Sequence, residues 1–255
     1  MRLSAEARLL VSKVACLPSD NDSGILCIPA VAGERALVER LRAFLAAVFG
    51  DEWSEVKERQ LIAEADERFE KKAAKDQSLE GWLRERAFRQ HCTLFHDRPF
   101  LWQVWDGMKD GFSAFLHYHR LDQATLSKLT YTTLGDWLAR AKAEGSLPRQ
   151  EKGRELQQAL EKILEGEAPY DIFVRWKPLA QQPLGWDPDL DDGVRMNIRP
   201  FMKAGVLRDT PNIKWGKDRG TDVASAPWYS VHNGERINDH HTTLVEKRAA
   251  RGERG

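Results

Sequence analysis

Phe100-Leu-Trp-Gln-Val-Trp-Asp106 and Phe112-Ser-Ala-Phe-Leu-His-Tyr-His119 are the two segments on which the fold turns. Both are aromatic and β-prone, and between them Asp106-Gly107 and Asp110-Gly111 supply residues tolerant of positive φ. That combination predicts an antiparallel hairpin. Everything periodic around it is helical, so the expected fold class is mainly α with a small β component (α+β). It comprises a helical core, one aromatic β-hairpin near 100–119 and a loop-rich C-terminal layer.

Upstream of the hairpin, Leu37, Leu41, Phe44, Leu45 and Val48 form one helical stripe that Gly50 terminates. A second helix is predicted from Asp51 to about Lys75, with Ile62, Ala65, Phe69 and Ala73 on its apolar face and its many charges read as a solvated face laced by i,i+4 pairs. Ser78 begins a third helix through Trp82, Leu83 and Phe88 to near His91, with Glu80 and Arg84 spaced as an ion pair. Before all of these, the polar turn Pro18-Ser-Asp-Asn-Asp-Ser-Gly24 leads to the β-prone Ile25-Leu-Cys-Ile28, stopped by Pro29.

Downstream, helices are predicted from about Gln123 to Ala143 and from about Arg149 to Glu165, separated by Gly145-Ser-Leu-Pro148. Periodicity then gives way to Pro-, Gly- and Trp-rich chain, with a last helical piece from Leu244 to Arg251. The expected organisation is an irregular segment 1–32, a helical domain 33–167 carrying the hairpin, and a loop-rich basic layer 168–255 packed on it.

The 255 residues are 42 % hydrophobic and 31 % charged with a net charge of +0, which fits a globular protein and argues against a non-specific DNA-coating protein. Three widely spaced cysteines, Cys16, Cys27 and Cys92, argue against a disulfide framework or a four-cysteine zinc site. The expected location is cytoplasmic. Lys13 interrupts the apolar run Leu9 to Leu17, which makes neither a signal peptide nor a membrane span.

Charge is concentrated locally. Between Arg195 and Arg219 stand seven cations (Arg195, Arg199, Lys203, Arg208, Lys214, Lys217 and Arg219) against Asp209 and Asp218, a local charge of +5. Such a segment attracts phosphate by counterion release. Trp215, between Lys214 and Lys217, adds an aromatic face able to stack on a base. The candidate DNA-binding residues are therefore Arg195, Arg199, Lys203, Lys214, Trp215, Lys217 and Arg219. Trp176 and Trp186 are better read as anchors pinning irregular chain onto the helices.

Other constellations are weaker. His91, Cys92 and His96, the pair His117 and His119, and the pair His240 and His241 lack the two-cluster spacing of a zinc site. The acidic run Asp187 to Asp192 has Asp192 and Ile198 where a calcium loop requires glycine and glutamate, so Asp191 or Asp192 is read as capping a helix near Val194. No G-x-S-x-G elbow, phosphate loop, glycine-rich cofactor loop or N-P-P-Y motif occurs, and no catalytic, cofactor-binding or metal residue is assigned.

Gly24-Ile-Leu-Cys-Ile-Pro29, Leu41-Arg-Ala-Phe-Leu-Ala-Ala-Val-Phe-Gly50 and the run from Leu83-Arg-Glu-Arg-Ala-Phe88 to Arg98-Pro-Phe-Leu-Trp102 resemble the C-terminal part of large adenine-specific DNA methyltransferases. These are the type IIG restriction-modification enzymes and the methylases of phage-exclusion (BREX-type) systems. Asp171-Ile-Phe-Val-Arg-Trp-Lys-Pro178, the run Gly185 to Pro200, Pro211-Asn-Ile-Lys-Trp-Gly-Lys-Asp-Arg-Gly220 and Leu244-Val-Glu-Lys-Arg248 extend the likeness. The resemblance implies transfer of a methyl group from S-adenosylmethionine to adenine N6, with the methyl-donor and catalytic motifs upstream of the matching region. It thus implies a tail without its catalytic head, whose partners are DNA and an upstream methyltransferase catalytic subunit or domain. The alternative expectation is a protein-interaction module that completes such a partner without touching DNA.

Overall fold

The computed structural model describes residues 23–70, 74–96, 99–166, 179–181, 184–188, 194–209, 231–232, 235–236 and 244–253. Its centre is an antiparallel sheet in the order β1-β3-β2, with β1 at Ile25–Cys27, β2 at Leu101–Trp105 and β3 at Ser113–His117. The predicted hairpin is therefore present, in the register Trp102 opposite Leu116 and Val104 opposite Ala114. Side chains alternate across a strand. One face accordingly carries Ile25, Cys27, Trp102, Val104, Ala114 and Leu116, all buried. Burial pushes the Cys27 thiol up to about 12, marking it as a packing residue.

The hairpin loop is organised by one carboxylate. Asp106 accepts the backbone N–H groups of Met108 at 2.9 Å and Phe112 at 2.7 Å. Gly107 has φ +86°, as the turn chemistry anticipates, whereas Gly111 is needed for space because a Cβ there would collide with the Asp106 carboxylate.

Around the sheet lie α1 (Leu37–Phe49), α2 (Glu55–Phe69), α3 (Leu79–Glu85), α4 (Ala87–Leu94), α5 (Gln123–Ser127), α6 (Leu134–Ala143) and α7 (Leu147–Glu165). Gly50, with φ +57°, ends α1 as the sequence indicates. The predicted Ser78–His91 helix is instead two, because Arg86 leaves helical geometry at φ −125°. The span 123–143 runs through a wide π-helical turn at Lys128–Thr133, where Gln157 donates to the Thr130 carbonyl. Pro148 falls in the first turn of α7, which its ring tolerates, so that helix starts at Leu147 rather than Arg149.

The largest departure from sequence expectation is α2. It begins at Glu55, where Ser54 accepts the Lys57 N–H, and its buried residues are Glu58, Ile62 and Asp66. Two charged residues thus point inward. Arg42 holds Glu58 through bonds of 2.8 and 2.9 Å, and Arg86 and Gln90 hold Asp66 at 3.0 and 2.9 Å. Partners supplied by α1 and by the α3–α4 junction turn charges that look solvent-facing in the helix alone into interior ones.

His91 of α4 faces the β2 entry, packed against Phe95 and Phe100 at ring separations of 4.6 Å. Burial pushes its imidazole down to about 4, so near neutral pH its Nε2 accepts the Leu101 N–H, 3.2 Å away. The unfolded chain takes up this proton near 6.5, so between about 6.5 and about 4 the unfolded state binds more protons. The contribution is complete above that window and is lost as pH falls through it. Urea titrations should therefore show stability declining from pH 6.5 to 4, and a His91→Gln chain should show a shallower decline. Equal slopes would remove His91 as the cause.

Candidate nucleic-acid interface

The segment 194–209 holds the described part of the basic stretch. Helix α8, Val194–Lys203, begins where the sequence places it. Asp191 and Asp192, its expected caps, lie outside the described residues. Ile198 and Phe201 are fully buried against the core, joined by Val206 and Leu207 after the Gly205 turn.

Trp186 fastens this helix. It is fully buried, packs edge-on against Phe201 at 5.4 Å, and donates from Nε1 to the Asn197 carbonyl at 3.3 Å. Its own backbone N–H donates to the Leu164 carbonyl at 3.1 Å, tying it to the end of α7. Gly185 permits that approach, since a Cβ there would collide with the same carbonyl. Asn197 adds a buried bond from Nδ2 to the Tyr118 Oη at 2.8 Å. The anchoring role read for Trp186 is what the structure shows, while Trp176 lies outside the described residues.

Arg195, Arg199 and Lys203 stand four residues apart and so share one face of α8, with about 6 Å of axial rise between neighbours. Lys203 is exposed and Arg199 half-buried. The side chain of Arg195 and all of Lys214, Trp215, Lys217 and Arg219 lie outside the described residues.

After α8 the chain joins the sheet. Trp105 N–H donates to the Val206 carbonyl at 3.0 Å and Arg208 N–H to the Gln103 carbonyl at 2.9 Å, with Val104 opposite Leu207. Residues 206–208 therefore line the outer edge of β2 as a fourth strand-like segment. Across that edge the Arg208 guanidinium lies 4.0 Å from the Trp105 ring centre. Nothing in the sequence singles out Trp105, because its partner stands about a hundred residues away and no local pattern announces the pairing. Burial pushes the next residue, Asp209, up from the ordinary carboxylate range, opposed by Arg89 and Arg208.

Other concave surfaces are less suited to an anion. A cleft of about 440 Å³ gathers Arg84, Lys109 and Arg149, but Glu80, Glu85 and Asp110 pair with them at 2.8, 2.8 and 2.9 Å. Among the described residues no group of three or more His, Cys, Asp and Glu is arranged to hold a metal ion. His117 and His119 come within 5.6 Å ring to ring, and burial lowers His117. No helix among the described residues is long and apolar enough to cross a membrane.

The mainly α body, with its small sheet and anchored cationic helix, can be set beside known proteins. No protein-family model matches the chain. It is 25 % identical over 201 residues to the adenine-specific methyltransferase BrxX of Escherichia coli O9:H4 (strain HS), a match covering 72 % of this chain and 16 % of that protein. It is 26 % identical over 115 residues to the adenine-specific methyltransferase PglX of Lacticaseibacillus casei (strain Zhang), covering 44 % of this chain and 9 % of the relative. The chain thus matches less than a fifth of the length of either relative.

Proposed function

We propose that this chain is a DNA-contacting and scaffolding part of a site-specific adenine-N6 DNA methyltransferase of restriction-modification or phage defence, corresponding to the C-terminal region of such enzymes. It acts beside a catalytic part that binds S-adenosylmethionine and carries out the transfer. The observation that carries this reading is the similarity to BrxX over 72 % of the chain. The cation face of α8, held to the core through Trp186 and Asn197, supports the DNA-contacting half of it. A rigidly mounted row of cations positions a duplex through its phosphates without reading sequence.

The test is salt dependence. Binding of the chain to a duplex is measured over a range of salt for the unaltered protein and for a Lys214→Ala, Lys217→Ala, Arg219→Ala variant. If these residues neutralise phosphates, affinity falls for every DNA sequence and the slope of log K against log salt flattens by about 0.9 for each phosphate no longer neutralised. An unchanged slope removes them from the interface. A chain that ignores DNA yet forms a stoichiometric complex with a methyltransferase catalytic partner would establish the interaction-module reading instead.

A further inference from the structure

Helices α1 and α2 present an apolar groove of about 260 Å³. Leu41, Phe44 and Leu45 come from α1, Leu61 and Ala65 from α2, and Trp82 from α3. Of α1, Leu37 and Val38 are buried in the core, whereas its last seven residues, Ala43–Phe49, are apolar on every side and largely half-exposed. A helix apolar all round belongs in an interior, so this end lacks a cover.

We propose that the cover is residues 3–17 of this same chain, seated in the groove as a third helix. These residues lie outside the described ones, and their sequence has the pattern of an amphipathic helix. Leu3, Ala7, Leu10, Val14 and Leu17 recur at spacings of four and three, which places them in one narrow stripe, and Val11 widens it. Pro18 stops such a helix. Fifteen residues rise about 22 Å, matching α2 with its 15 residues and α1 with its 13.

Charge agrees as well. Residues 1–17 carry Arg2, Arg8 and Lys13 against Glu6. Residues 37–69 carry six carboxylates besides the buried Glu58 and Asp66, against four cations besides Arg42, which holds Glu58. A basic amphipathic helix would therefore meet a helix pair of net negative charge, and five residues, 18–22, separate it from Ser23, where the described chain begins. The other occupants to be distinguished are a second copy of the chain and a helix of another protein.

The experiment uses the full chain with a nitroxide on Cys16, since Cys27 and Cys92 are each 5 % exposed. Position 16 falls on the far side of the proposed helix from its apolar stripe, so the label does not obstruct seating. Methyl signals of Leu41, Leu45, Leu61 and Ile62 should be lost when the label is paramagnetic, independently of protein concentration. In a Leu10→Asp, Val14→Asp chain those signals should return, and amide exchange in Ala43–Phe49 should quicken about tenfold or more. Unshifted core methyls of Leu129 and Leu160 would verify that this variant is folded. Retained groove signals in the labelled chain would overturn the proposal. So would signal loss that appears only between mixed labelled and unlabelled copies, or loss that survives the double substitution.

Discussion

Asp66→Ala is expected to destabilise the fold by about 3–5 kcal/mol, the cost of leaving a buried charge without its partner. Asp66 and Arg86 are each 5 % exposed at the side chain and 3.0 Å apart, and they join α2 to the junction of α3 and α4. Arg86 also donates to the Asp76 carbonyl at 2.8 Å, and Gln90 donates to the same Asp66 oxygen at 2.9 Å. The pair is incompletely satisfied, since Asp66 Oδ2 and Arg86 Nη1 are buried without a hydrogen-bond partner. Intact, it therefore contributes little net stability, because its attraction is offset by desolvation. Broken, it costs heavily. Asp66→Leu combined with Arg86→Met should accordingly recover most of what Asp66→Ala loses, as read from urea midpoints at constant slope. If the double change is as damaging as the single one, the pair contributes specific stability and this account of it fails.

The same pair shows where the sequence stops being legible. Helix existence and type can be read from local periodicity, and α1, the 123–143 span, α7 and α8 lie close to their expected limits for that reason. The hairpin is legible because aromatic alternation and Asp-Gly turns are local signals too. The inward turn of Glu58 and Asp66 is not legible, because their burial is decided by Arg42 and Arg86, which approach from other helices. The break at Arg86 is hidden for a related reason. A side chain committed to Asp66 and to the Asp76 carbonyl fixes where the backbone must turn, and no glycine or proline marks the place.

Of the candidate site, the cations are legible as composition, and their mounting is not. The spacing of Arg195, Arg199 and Lys203 implies one face once a helix is granted. That residues 206–208 run along β2 and bring Arg208 over Trp105 is non-local strand pairing, which a single sequence does not announce.

Trp186→Ala is expected to cost about 3–5 kcal/mol, the range for removing a fully buried aromatic side chain from a packed core. The loss should fall unevenly. Trp186 meets Phe201 and the Asn197 carbonyl, so the cavity opens beneath α8 rather than beneath the sheet. Amide exchange should therefore quicken across 194–209 and at Trp105, whose N–H donates to the Val206 carbonyl. Amides in the buried stretch of α7 around Leu156 and Leu160 should keep most of their protection. Trp186→Phe keeps an aromatic ring and loses the indole donor, and should cost less, about 1 kcal/mol for the lost hydrogen bond to the Asn197 carbonyl together with a smaller packing loss. The pair of variants also tests the mounting of the cations. If α8 must be held rigid to present Arg199 and Lys203 to phosphates, duplex affinity should fall with the loss of protection, more in Trp186→Ala than in Trp186→Phe. Unchanged affinity in a Trp186→Ala chain whose 194–209 amides exchange freely would show that DNA binding does not depend on this helix.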